Sequence, residues 1–137
     1  MPLSVQVVSP ESILWSGEAD MVLTRTSAGG EIAFLNGHAP FVGALGIGVT
    51  RIRPVEGADV AVAVHGGFVE VSNNQVSILS DVAELAADID VQRAEVAREA
   101  AESALKSQHE HDAEAEAALA RANARITAVS GALTGTH

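Results

Sequence analysis

At 137 residues, the chain supports one good hydrophobic core, or one core plus a short appendage. Its formal charge of -10 and pI near 4.7 argue against nucleic acid or an anionic membrane surface as a direct partner. With no cysteine, disulfides, thiolate zinc sites, iron–sulfur clusters and cysteine nucleophiles are all excluded.

Residues Met1 to Pro10 carry neither the basic start nor the apolar centre of a signal peptide. Up to about residue 85, β-branched residues alternate with polar ones between Gly, Pro and Asn punctuation. Leu3-Ser4-Val5-Gln6-Val7 and Val49-Thr50-Arg51-Ile52-Arg53 alternate. Met21-Val22-Leu23-Thr24 and Val60-Ala61-Val62-Ala63-Val64 read as strands buried more completely. Ile32 to Thr50 holds no Asp, Glu, Lys or Arg, but its glycines and Pro40 break it too often for a lipid-spanning helix. Phe68 to Val71 and Val76 to Leu79 flank Asn73-Asn74, a pair suited to a hairpin turn because Asn tolerates left-handed backbone angles. Short strands at this spacing predict a β-sandwich or barrel.

The texture changes near residue 85, after which neither Gly nor Pro occurs until Gly131. Asp88 or Asp90 can cap a helix running to about Gln108, and Asp112 a second running to about Val129. The short break between them predicts an antiparallel helical hairpin, with a frayed tail from Gly131 to His137. Its contact positions are mostly Ala, so it buries little area per residue and docks weakly. That makes it a candidate moving part, although a permanently docked helix pair fits the same residues.

Catalytic signatures are mostly absent. There is no P-loop, and the only lysine, Lys106, lies within the first helix. Gly46-Ile47-Gly48 lacks the third glycine of a dinucleotide loop, and there is no G-x-S-x-G elbow. His109-Glu110-His111-Asp112 has metal-site composition, but a polar turn between helices explains it. His65 beside Gly66-Gly67 reads as a packed or turn histidine. More informative is the run from Gly30-Glu31-Ile32 to Gly37-His38-Ala39-Pro40, whose Gly-His-x-Pro turn is expected to hold Glu31 and His38 in a rigid surface loop.

This run occurs in order with Val7-Val8-Ser9-Pro10-Glu11, Trp15-Ser16-Gly17, Gly66 to Val71, Val76 to Asp81 and Ile89-Asp90-Val91-Gln92-Arg93-Ala94. The ordered set resembles the epsilon subunits of bacterial and chloroplast F-type ATP synthases across nearly the whole chain. Asn36, which suits a turn, and Trp15 depart from the family's usual residues, and neither touches the assignment. The resemblance implies a ten-stranded β-sandwich in residues 1–85 and an antiparallel helical hairpin in residues 86–137. It further implies a non-catalytic rotor subunit on the central stalk, peripheral to the membrane on its cytoplasmic side. The gamma subunit and the c-subunit ring would be its partners, with Glu31 and His38 in the contact with the ring. The hairpin would reach the alpha and beta subunits and inhibit ATP hydrolysis.

In some members of that family the folded hairpin binds ATP as a regulatory ligand. By position, Ile89, Asp90, Arg93 and Ala94 match the first-helix motif, while Arg121 and Arg125 match the second-helix arginines. Glu84 matches an acidic position just ahead of the motif. Guanidinium groups pair well with phosphate oxygens. The competing account is local: Arg93 pairs with Asp90 at i,i+3, and the later arginines are solvated. No metal or other cofactor is implied, and a free-standing nucleotide-sensing β-sandwich remains the alternative function.

Overall fold

In the computed structural model, which describes residues 2–107 and 112–134 (side chains only to 131), the β-rich part comes first and two helices follow. The strands are β1 (Leu3–Val8), β2 (Ile13–Arg25), β3 (Glu31–Leu35), β4 (Phe41–Pro54), β5 (Val60–Ser72), β6 (Gln75–Leu79) and β7 (Ala83–Leu85). A 3-10 turn, Ala86–Asp88, leads into α1 (Val91–Ser107) and α2 (Ala113–Thr134).

The strand order β1-β6-β5-β4-β2-β3 is closed by pairing of β1 with β2, and β7 adds to β5. β1 pairs parallel with β6; the other pairings are antiparallel. Three strands are long enough to serve both layers. The first half of β2 pairs with β1, and the second half with β3 and β4. β5 pairs with β7 near its start and with β6 near its end, while β4 runs beside it throughout. The structure thus has seven strands where ten were expected, because β2, β4 and β5 each run on as one long strand through two sets of pairings.

Alternation fills the space between the layers. Leu3, Val5 and Val7 of β1 point inward, as do Val62, Val64, Val69 and Val71 of β5, Val76 and Ile78 of β6, and Phe34 of β3. This is the period-2 burial of a sheet with one face on a core. Asn73 and Asn74 adopt positive φ values of 50° and 60° and join Ser72 to Gln75, the two-residue turn expected. Gly67 has φ +131°, and a Cβ there would collide with the Leu79 carbonyl, so the β5–β6 approach requires glycine.

Helix caps follow the acidic residues. Asp90 Oδ1 accepts from the Arg93 backbone N–H at 3.1 Å, and Asp112 Oδ1 from that of Ala115 at 2.9 Å. Asp90, rather than Asp88, therefore starts α1. α2 lies on β4 and β5, and α1 packs mainly on α2. The seam on the sheet is built from Ala61, Ala63, Ala86, Ala124 and Ala128, with Ile47, Val49 and Ile89 against them. α2 does not stop near Val129 as expected, because Gly131 lies inside it at the point where the Arg51 guanidinium of β4 presses against the helix. The break at residues 108–111, with the polar cluster His109 to His111, falls outside the described residues, as does the end of the predicted tail.

Candidate functional site

Where α1 leaves the β domain, a cleft of about 410 Å³ opens between the two helices and the end of the sheet. Glu84, Asp88, Asp90, Arg93, Ala94, Ala97 and Arg125 line it. The fold thus gathers Asp90, Arg93 and Ala94 from the start of α1 with Arg125, 35 positions after Asp90 on α2 (125 − 90), although they are far apart in sequence. Such a cleft is within the size range of small-ligand sites.

Two residues of the sequence motif are placed elsewhere. Ile89 packs into the alanine seam under α2 and is a packing residue. Arg121, one turn before Arg125, reaches back along its own helix to Glu114 Oε1 at 2.9 Å and does not line the cleft. Asp90 spends one carboxylate oxygen on the α1 cap, and the Arg93 side chain stays exposed, so the Asp90–Arg93 link is a backbone cap and not an ion pair of side chains.

The ordering contact is made by Glu84 of β7. Its Oε1 accepts from Arg125 Nε at 2.6 Å and from His65 Nε2 at 3.1 Å. One carboxylate therefore ties α2 to β5. Burial works against the Glu84 charge, but the bonds from Arg125 and His65 outweigh it and hold its carboxyl below the usual range. Burial pushes His65 down from the ordinary value of 6.5; the Glu84 bond opposes that push, and the Arg125 charge adds to it. The position of Glu84 was legible in the sequence, but its pairing with His65 and Arg125 carried no local signal.

Glu31 and His38 are separated. Glu31 opens β3, paired with Arg25, and is exposed. His38 lies in the turn past the other end of that strand, roughly 13 Å of extended backbone or more away. The expectation of one loop holding both is therefore corrected to the two ends of one strand. The His38 turn is firmly braced. Its Nδ1–H donates to the Ala39 carbonyl at 2.7 Å, its ring meets the Phe34 ring edge-on at 4.9 Å, and the Gly37 N–H donates to Asn74 Oδ1 at 2.8 Å. Asn74 thus serves both the β5–β6 turn and this loop.

On the outward side of the sheet, Phe68 stands between its register partners Ala44 and Leu79, with Val42 on the same face. Val42, Phe68 and Leu79 are 70%, 57% and 41% exposed and form an apolar patch on this face. Among the described residues, no group of His, Asp and Glu could hold a metal ion, and no helix is long and apolar enough to cross a membrane.

Two family profiles together span almost the whole chain. Residues 2–86 match the ATP synthase, Delta/Epsilon chain, beta-sandwich domain, and residues 87–130 match the long alpha-helix domain of the same chain. The chain is 43% identical to the ATP synthase epsilon chain of Streptomyces avermitilis, over 93% of its own length and 95% of that protein. It is 46% identical to that of Streptomyces griseus, over 74% of its length and 81% of the relative. Its fold matches a chain of the Euglena gracilis mitochondrial ATP synthase (OSCP/F1/c-ring) with a TM-score of 0.79 at 23% identity, covering 93% of this chain and 81% of that one.

Proposed function

Because the chain belongs to the ATP synthase delta/epsilon family, we propose that it works as a rotor subunit coupling the catalytic head to a membrane c ring, and that its hairpin restrains ATP hydrolysis. It is a non-catalytic subunit. The observation that carries this reading is the division between a β domain with its own closed core and a hairpin held to it by an alanine seam and the Glu84 bridge. The first is built for attachment and the second for release.

The apolar face of Val42, Phe68 and Leu79 supplies the attachment surface for gamma, since such patches mark protein interfaces. Glu31 and the braced His38 turn supply the contact with the c ring, at the peripheral, cytoplasmic side of the membrane. The released hairpin reaches the alpha and beta subunits. ATP is the regulatory ligand of the cleft, where Arg93 is free to meet phosphate and Arg125 would exchange Glu84 for it. A ligand held only by the docked hairpin stabilises that state and opposes inhibition.

The test is a reconstituted complex with and without residues beyond Asp88. ATP hydrolysis rises on truncation while gamma co-purifies with both forms. Unchanged hydrolysis would remove the inhibitory role, and loss of gamma would place the attachment in the hairpin.

A further inference from the structure

His65 is the one ionisable side chain that the described structure buries beneath the hairpin without satisfying both of its polar atoms. Alternation along β5 puts it on the same face as Ala61 and Ala63, the face that α2 covers. Its side chain is 3% exposed. A carboxylate only accepts, so the bond to Glu84 fixes the proton on Nε2 in the neutral ring. Nδ1 is then a buried acceptor with no partner.

We propose that His65, Glu84 and Arg125 form a proton-sensitive latch: the docked hairpin encloses a neutral His65, and protonation of that imidazole releases α2 from the sheet. The latch is a property of the chain itself and needs no partner.

The charged groups facing the ring define its response. Glu84 approaches from β7, and Arg125 and Arg121 from α2. β4 sets Ile47 opposite His65 and carries no ionisable residue from Phe41 to Thr50. The segment before β7 offers the Val82 carbonyl to the His65 backbone N–H, and its Asp81 is exposed. Protonation would place a donor on Nδ1 where no acceptor exists, and a cation beside Arg125. The Glu84 carboxylate offsets part of that cost, but it is already engaged by Arg125. Lifting α2 opens the ring to water, where the cation is solvated.

Burial, the largest influence, holds docked His65 below the ordinary 6.5. Above that value the ring is neutral in both states and the latch is closed. As pH falls below it, the lifted state takes the proton first, so docking weakens until the docked ring also titrates, and then changes no further. Glu84 adds to the same trend only at lower pH, because its depressed carboxyl contributes to docking until it is protonated.

Amide hydrogen exchange on the full chain between pH 7.5 and 5.5 tests the latch, with protection of α2 taken relative to the β6 core and corrected for intrinsic rates. In the wild type, α2 protection should fall by up to about tenfold per pH unit below 6.5, the limit for one proton. His65→Gln keeps an N–H for Glu84 but cannot take a proton, and its α2 protection should stay flat. An equal decline in both proteins, or none in the wild type, overturns the proposal. Should His65→Gln fail to dock its hairpin, the wild-type imidazole titration by NMR decides. A midpoint below 6.5 that coincides with the loss of α2 protection supports the latch; a midpoint at or above 6.5, or one without loss of protection, overturns it.

Discussion

Arg121 and Arg125 stand one helical turn apart, so sequence spacing makes them equivalent, but the fold does not. Arg125 meets Glu84 at 2.6 Å and lines the cleft, whereas Arg121 is drawn to Glu114. The difference arises because Glu84 sits 41 positions before Arg125, and no local pattern announces a partner at that separation. Local chemistry was legible wherever the partner lies within a few residues: the Asn73-Asn74 turn and the Asp90 and Asp112 caps all formed as their side chains dictate. The same contrast yields a prediction for ATP titrated into the isolated chain by calorimetry. Arg93→Ala removes an exposed guanidinium that lines the cleft and should weaken binding about tenfold or more, the worth of a charge-assisted hydrogen bond. Arg121→Ala should leave it within about twofold. Equal losses would mean that Arg121 turns into the cleft when ligand arrives, and absence of heat in the wild type would remove ATP from the site.

At the scale of elements, α2 makes most of the helical contact with the sheet among the described residues. α1 buries just Ala94 and Ala101, and leaves Val96 66% exposed. The texture break near residue 85 and the run of alanines announced a helical hairpin whose contacts are mostly alanine. Gly131 misled, because glycine near a helix end reads as a stop, whereas here it makes room for Arg51 from a distant strand. The alanine seam contributes roughly 0.8 kcal/mol per buried methyl-sized group, a few kcal/mol in all and within reach of one substitution. Ala128 is 0% exposed in that seam. Ala128→Glu would set an unpaired charge against the sheet at a cost of about 2 kcal/mol or more. Hydrogen exchange should then show α2 unprotected while β5 and β6 keep their protection. Loss of protection in both at once would show that hairpin and sheet fold as a single cooperative unit.

Across the whole molecule, the two hydrophobic clusters are unequal in kind. Among the described residues, the larger draws all its members, from Leu3 to Leu85, out of the strands, and none from the helices. The smaller lies where α2 meets β4, β5 and the segment Ala86 to Ile89. Strand alternation exposed the first cluster to a reading of the sequence, because inward residues recur every second position. The second rests on Val60 to Val64, which reads as a strand buried more completely, but nothing local shows that α2 is what covers its alanines. Residues 1–88 should therefore fold without the rest. Removing the hairpin uncovers Ala61, Ala63, Ile47, Val49 and His65 but opens no cavity in the larger core. A loss of about 2 kcal/mol would lower the melting temperature by roughly 10 °C for a domain of this size. Trp15, the only tryptophan, packs on the edge of the larger cluster and reports its integrity by fluorescence. A cooperative melt of the fragment, seen alike by Trp15 and by strand circular dichroism, is the expected outcome. A fragment that melts gradually, or in which the two probes disagree, would show that the helices complete the β domain and do not merely rest on it.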